Sequence, residues 1–271
     1  MGIAERLVPD GLWEIFLNVA PKPPTRVQGG GRPRCDDRAL LAAIIFVATS
    51  GCTWRQLPSV FCASWHTVHR RFTYWSKNRA WAKLHRVMLD QLGASGELDW
   101  SRCAIDSASV RAVEGGAFTG PNPTDRGKLG SKIRVICDRN GLPLSVGISG
   151  ANLHDSQALI PLMRGIPPIR SRYGPCRRRP AKLHADKGYD FGHLRNWLRQ
   201  RQIVPRIARH GVESSARLGR HRWVVERTMS WLNGCRRLHR RNERKAEHFL
   251  AFVGLASALI CYRRCARGGY P

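Results

Sequence analysis

Apolar residues follow two textures along this chain, and the change between them falls near residue 98. Up to about residue 95 they recur at helical spacing. Asp36 is a good N-cap for the apolar run from Ala39 to Ala48. Thr53 then caps a predicted short helix, Trp54 to Leu57, which Pro58 and Ser59 break, and Ser64 caps a second, Trp65 to Lys77. On the second helix Val68, Phe72 and Trp75 share one face at i, i+4 and i+7, while His66, His69, Arg70, Arg71 and Lys77 lie around the rest. Two short helices, a turn and a basic outer face make the layout of a helix-turn-helix. The plainer reading of the same pattern is a basic amphipathic helix docked in a bundle.

Beyond residue 98 the texture becomes strand-like. The pattern predicts a strand over 102–112, a Gly-rich basic loop over 113–132, and a hairpin over 133–149 that turns at Asp138 to Gly141. A short helix follows over 154–163, capped by Asp155 or Ser156, and then a strand ending at Asp186. A helix at about 191–202, a strand at 203–208, a long helix from about Arg220 and a final apolar helix over 246–263 complete the chain. The order β-β-β-α-β-α-β-α predicts an α/β domain with a mixed sheet and flanking helices. The expected division is a helical region over 1–95 and the sheet domain over 96–271.

Charge narrows the partners. The 271 residues carry 46 Lys and Arg against 19 Asp and Glu, a formal charge of +27. Such an excess calls for a polyanion, either nucleic acid or an acidic membrane. A hydrophobic fraction of 42% with nine Trp fits a folded protein, not a basic tail. The longest apolar runs, 39–49 and 249–261, fall short of the roughly 18–20 residues that span a bilayer. No leader pattern and no long amphipathic basic helix is visible, so no membrane partner and a cytoplasmic location are expected. The segment "PKPPTRVQGGGRPR" (21–34) reads as a basic linker whose Arg32 and Arg34 follow a phosphate backbone. His66 and His69 have metal-ligand spacing but no third ligand nearby in sequence, which favours contact with phosphate or solvent. The nine cysteines form no CxxC pair and read as buried thiols of a reducing compartment.

With acids so scarce, their positions stand out. Asp106 ends the first strand in "AIDS", Asp186 ends the fourth in "HADKG", and Glu226 lies in the long helix beside Trp223, Val224 and Val225. Singly, these are a turn cap, an Asx-turn and a partner for Arg222 or Arg227. Together they point elsewhere, because the element order makes the first and fourth strands neighbours and lays the long helix across them. Three converging carboxylates need a cation. Oxygen ligands of this type suit Mg²⁺ or Mn²⁺, and two such ions about 3.5–4 Å apart form the clamp for in-line phosphoryl transfer.

These blocks resemble the DDE transposases of the IS5 group, in the IS4/IS5 superfamily, over essentially the whole chain. The carriers are "GGGRPRCDDRALLAAIIFVATSGCTWRQLPSVFCASWHTVHRRFTYW", "AIDSASVRA", "GANLHDS", "LHADKGYD" and "GRHRWVVERTMSWLN". The resemblance implies an RNase H-like catalytic domain with Asp106, Asp186 and Glu226 as catalytic triad and ligands of two Mg²⁺ or Mn²⁺ ions. It also implies action on the terminal inverted repeats of an insertion sequence, as a homodimer on double-stranded DNA. The related signature around the glutamate is Tyr, two residues, Arg, three residues, Glu, six residues, Lys. Arg222 and Glu226 match it, whereas Gly219 and Asn233 stand at the Tyr and Lys positions. Arg236 and Arg237 lie within a turn of Asn233 and would replace the lysine. The candidate DNA contacts are therefore Arg32, Arg34, His66, His69, Arg70, Arg71, Lys132, Arg222, Arg236 and Arg237. Two rival readings keep the fold: a nuclease that cuts without joining, and an inactive copy that only binds the element ends.

Overall fold

A computed structural model describes residues 2–22, 34–209, 211 and 215–267, with only the backbone for 215–222 and 267. Arg32, and with it most of the predicted linker, lies outside the described residues, as does the side chain of Arg222. Five helices come first: α1 (Ile3–Leu7), α2 (Asp10–Val19), α3 (Asp37–Ser50), α4 (Trp65–Lys77) and α5 (Ala80–Ala94). There follow β1 (Cys103–Ala112), the two-residue β2 (Gly120–Pro121), β3 (Leu129–Asp138), β4 (Pro143–Gly150), α6 (Ser156–Gly165) and β5 (Lys182–Ala185). The chain continues through α7 (Gly192–Arg199), β6 (Val204–Ile207), α8 (Ser215–Asn233), β7 (Arg240–Arg241) and α9 (Ala246–Arg267).

The capping residues act as the sequence predicts at two helices. Asp36 Oδ2 accepts the Ala39 N–H at 2.8 Å, and Ser64 Oγ accepts that of Thr67 at 3.3 Å. Buried residues occur all round α3, from Leu40 to Ala48, as expected of a helix enclosed by others. It stops at Gly51, whose φ of +76° is left-handed and where a Cβ would meet Arg236 Cβ at 2.9 Å. The predicted short helix over Trp54 to Leu57 is a single 3-10 turn, Trp54–Gln56, and a second 3-10 turn follows at Ser59–Phe61. Pro58 separates them, and α4 packs against the first of these turns as well as against α3, α5 and α9.

The helical layer is held by stacked aromatics. Phe72 lies on Phe252 at 4.6 Å between ring centroids, and Phe16 meets Trp75 edge-on at 4.8 Å. Each ring fully buried contributes on the order of 1.5–3 kcal/mol. Phe252 belongs to α9, which packs against both α5 and β4, so the last helix joins the first helices to the sheet. By length and composition α9 is able to cross a membrane, further than its sequence reading of 246–263 implied. In the fold, 67% of its apolar window is buried against the protein's own elements.

Across the main sheet the strand order is β4-β3-β1-β5-β6. Pairing is antiparallel from β4 to β1 and parallel from β1 to β6. This is the mixed sheet expected of an RNase H-like domain, with β2 and β7 as short additions on β3 and β1. The hairpin turn falls where predicted. Asp138 carboxylate oxygens accept the N–H groups of Asn140, Leu142 and Asp99, and Gly141 takes the left-handed position at φ +85°.

Candidate active site

β1 and β5 run parallel with Cys103 opposite Leu183 and Ala104 opposite His184. Asp106 and Asp186 each stand two residues beyond that last pair. Two residues along a strand return to the same face, so the two aspartates share a level and a face on neighbouring strands. Ala104, Val135 and Cys137 on the sheet pack with Val224 and Val225 of α8, which places α8 over Asp106's side of β1. Glu226 follows Val225 and is exposed. No group of three His, Cys, Asp or Glu side chains able to hold a metal is gathered among the described residues. Glu226 is therefore on the helix that covers this face without joining the aspartates in a closed cage.

The local turn roles are also realised. Asp106 Oδ1 accepts from the Ser107 N–H at 2.8 Å, and Asp186 Oδ1 from the Gly188 N–H at 2.9 Å. Tyr189, just past Asp186, is buried with its hydroxyl unbonded. Burial first, then the nearby carboxylates of Asp155, Asp106 and Asp186, push that phenol well above its ordinary range. Three carboxylates thus converge electrostatically on one hydroxyl, and the third is Asp155.

Asp155 begins α6, but its side chain makes no cap bond to the helix. Its Oδ1 accepts from Ser107 Oγ at 2.8 Å, Lys132 Nζ at 3.0 Å and Arg134 Nη1 at 3.0 Å. Burial would raise this carboxyl, yet the bonds from Lys132 and Ser107 and the charges of Lys132 and Arg134 hold it below the usual carboxylate range. The network fastens β1, β3 and the start of α6 together beside Asp106. The signal for it in the sequence is Lys132 and Arg134 two apart in an otherwise apolar strand, so both charges point to one face.

Several expected DNA contacts are turned inward. Lys132 is committed to Asp155 and the Leu153 carbonyl. Arg237 is 5% exposed, pairs with Glu243 at 2.8 Å and donates to the Cys52 carbonyl. Arg71 and Arg34 both bind the Asp37 carboxylate, whose charge their sequence reading left out. His69 is half-buried, edge-on to Trp54 and His248 at 5.1 and 5.7 Å. The exposed members of the set are His66 and Arg70 on α4, Arg236, and Arg34 despite its ion pair with Asp37.

Residues 99–261 match the family model "Transposase DDE domain", and residues 8–85 match "Putative transposase of IS4/5 family". The chain belongs to the DDE transposases of the IS4/IS5 group. It is 47% identical over 149 residues to the "Putative transposase for insertion sequence element IS402" of Burkholderia cepacia, covering 55% of this chain and 71% of that relative. A 16.2 kDa uncharacterized protein of insertion element IS402, from the same organism, is 37% identical over 123 residues, 45% of this chain and 84% of its own. Among solved structures, a pre-cleavage Mos1 transpososome aligns over 91% of this chain and 83% of its own. Its 12% identity and TM-score of 0.29 are too low for residue-by-residue comparison.

Proposed function

We propose that the chain binds the terminal inverted repeats of its insertion sequence, frees their 3′ ends and joins them to target DNA. The observation that carries this is the parallel pairing of β1 with β5 through Ala104 and His184, with Asp106 and Asp186 each two residues farther on. With Glu226 on α8 they form the proposed catalytic triad.

The donor set fits the expected metal. Two carboxylates on adjacent strands and a third on a covering helix offer hard oxygen ligands, the class that suits Mg²⁺ and Mn²⁺ and leaves room for phosphate oxygens. Asp106, Asp186 and Glu226 would hold the ions, which when bound lower the barrier by activating the attacking oxygen and neutralising the leaving one. The protein's own part is positioning. Ser107 and Gly188 N–H groups each fix one oxygen of an aspartate. The Asp155 network holds β1 against β3 and α6 at the same point. Tyr189, buried and close enough to feel these carboxylates, keeps its proton.

Exposed His66 and Arg70 on α4 are the proposed contacts to duplex DNA, chiefly to phosphates. Two ends must react together, so a homodimer on DNA is expected. The test uses pre-cut labelled ends from the DNA flanking the gene, a supercoiled plasmid and Mg²⁺ or Mn²⁺. Metal-dependent joining, reduced at least a thousandfold in Asp106→Asn, Asp186→Asn and Glu226→Gln, is the expected result. Nicking without joining would make the chain a nuclease, and end binding without either would make it an inactive relic.

A further inference from the structure

Between α4 and the start of α9 lies a cavity of about 520 Å³, at the seam of the helical region and the sheet domain. Arg70 comes from α4; Arg244 and Lys245 come from the loop before α9, and all three are exposed. Arg237 lies in its wall and is paired there with Glu243. The second acid nearby, Glu247, is exposed on the first turn of α9. Four cations against one lining carboxylate make the cavity a poor host for a metal cation and a good one for an anion.

Two features give it the form of a binding site. His248 lines the cavity and is 7% exposed, yet its Nε2 makes no hydrogen bond. A buried ring nitrogen without a partner costs about 1–3 kcal/mol unless something fills the position. The 22-residue α9 also begins at this edge, so the positive end of its dipole adds to the same field. Burial, together with the charges of Lys245 and Arg237 around His69 and of His69 and Lys245 around His248, lowers both imidazole pKa values. Both rings are thus neutral at pH 7, each with one N–H to donate.

We infer that this cavity binds a phosphate group, with Arg70, Arg244 and Lys245 supplying charge and His248 a directed hydrogen bond. A DNA backbone phosphate held there would lock a duplex lying on α4 to the sheet domain. That source rests on the transposase reading above; an isolated phosphate ion would not.

The experiment scans an element-end duplex with single methylphosphonate substitutions, on the full chain and on the Arg244→Gln/Lys245→Gln double variant. Both proteins are also titrated calorimetrically with inorganic phosphate. Both substitutions are at exposed positions, and His248→Gln serves as a second probe of the unbonded nitrogen. One or two adjacent phosphates should each cost the wild type about tenfold in affinity when neutralised, and cost the double variant nothing further. Phosphate binding that the variant loses, without any scan effect, assigns the cavity to the free ion. If the wild type binds phosphate but no duplex, the DNA reading fails and the phosphate site stands. The inference is overturned if both proteins bind phosphate equally, or not at all, and give identical scans.

Discussion

Two basic stretches look alike in the sequence and differ in how deeply the fold buries their arginines. On α4, "HTVHRR" presents His66 and Arg70 to solvent while Val68 and Phe72 face the core. In "CRRLHRRNERK" (235–245), two of the six Arg and Lys residues, Arg237 and Arg241, are buried instead. Arg241 is fully buried and donates to the carbonyls of Ala117, Phe118, Glu243 and Arg244 and to Ser131 Oγ. Arg237 is buried on Glu243. The difference lies in what each segment packs against. An amphipathic helix places its charges mainly on the outer face by periodicity, whereas an irregular segment at a seam meets several backbone carbonyls, and a guanidinium donates to several at once. A run of positive charge is therefore not by itself evidence of DNA binding, since Arg237 and Arg241 turn inward while Arg244 and Lys245 of the same run stay exposed.

The sharpest break of this contrast is Arg241→Ala. Removing it takes the guanidinium from a fully buried position and its donors from four carbonyls, that of buried Glu243 among them, and a loss of about 3–5 kcal/mol in chemical denaturation is expected. Against a usual total of about 5–15 kcal/mol, that places the variant near unfolding.

Buried titratable groups sharpen the contrast through pH. His85 is buried, with Nε2 2.8 Å from the Pro143 carbonyl, and burial lowers its pKa to about 4. Its stabilising neutral form is complete above the usual imidazole value and is lost as pH falls from about 6.5 to 4. Asp138 has the opposite sign, since burial raises its pKa to about 6. Its contribution is complete below the usual carboxylate value and is lost as pH rises through 6. Between pH 4 and 6 the two oppose each other at up to about 1.4 kcal/mol per pH unit each. Measured by urea midpoint from pH 6 to pH 4, His85→Gln should gain about 2 kcal/mol relative to wild type and Asp138→Asn should lose as much.

The smallest change comes from the outward side. Arg70→Gln should leave stability within about 0.5 kcal/mol of wild type while lowering the slope of log affinity for DNA against log salt by about 1. A stability loss as large as that of Arg241→Ala would erase the distinction between the two stretches.

Much of this arrangement was legible in the sequence because local rules decided it. Asp36 and Ser64 cap their helices, Asp138 to Gly141 turn the hairpin, and the element order foretold that β1 and β5 are neighbours. What was not legible depends on contacts remote in sequence. Asp155 reads as a helix cap until Ser107 and Lys132, 48 and 23 residues away, claim its carboxylate. Arg237 reads as a DNA contact until Cys52, 185 residues distant, supplies an acceptor. The single helix expected over Trp54 to Leu57 gave way to a 3-10 turn because so short a segment gains little from helical hydrogen bonds.

The most direct measurement of the central claim, that three carboxylates from β1, β5 and α8 act as one site, is Mn²⁺ binding followed by electron paramagnetic resonance on the complex with an element end. Asp106→Asn, Asp186→Asn and Glu226→Gln should each weaken binding at least tenfold while leaving DNA affinity intact. Mn²⁺ affinity unchanged in all three would contradict it.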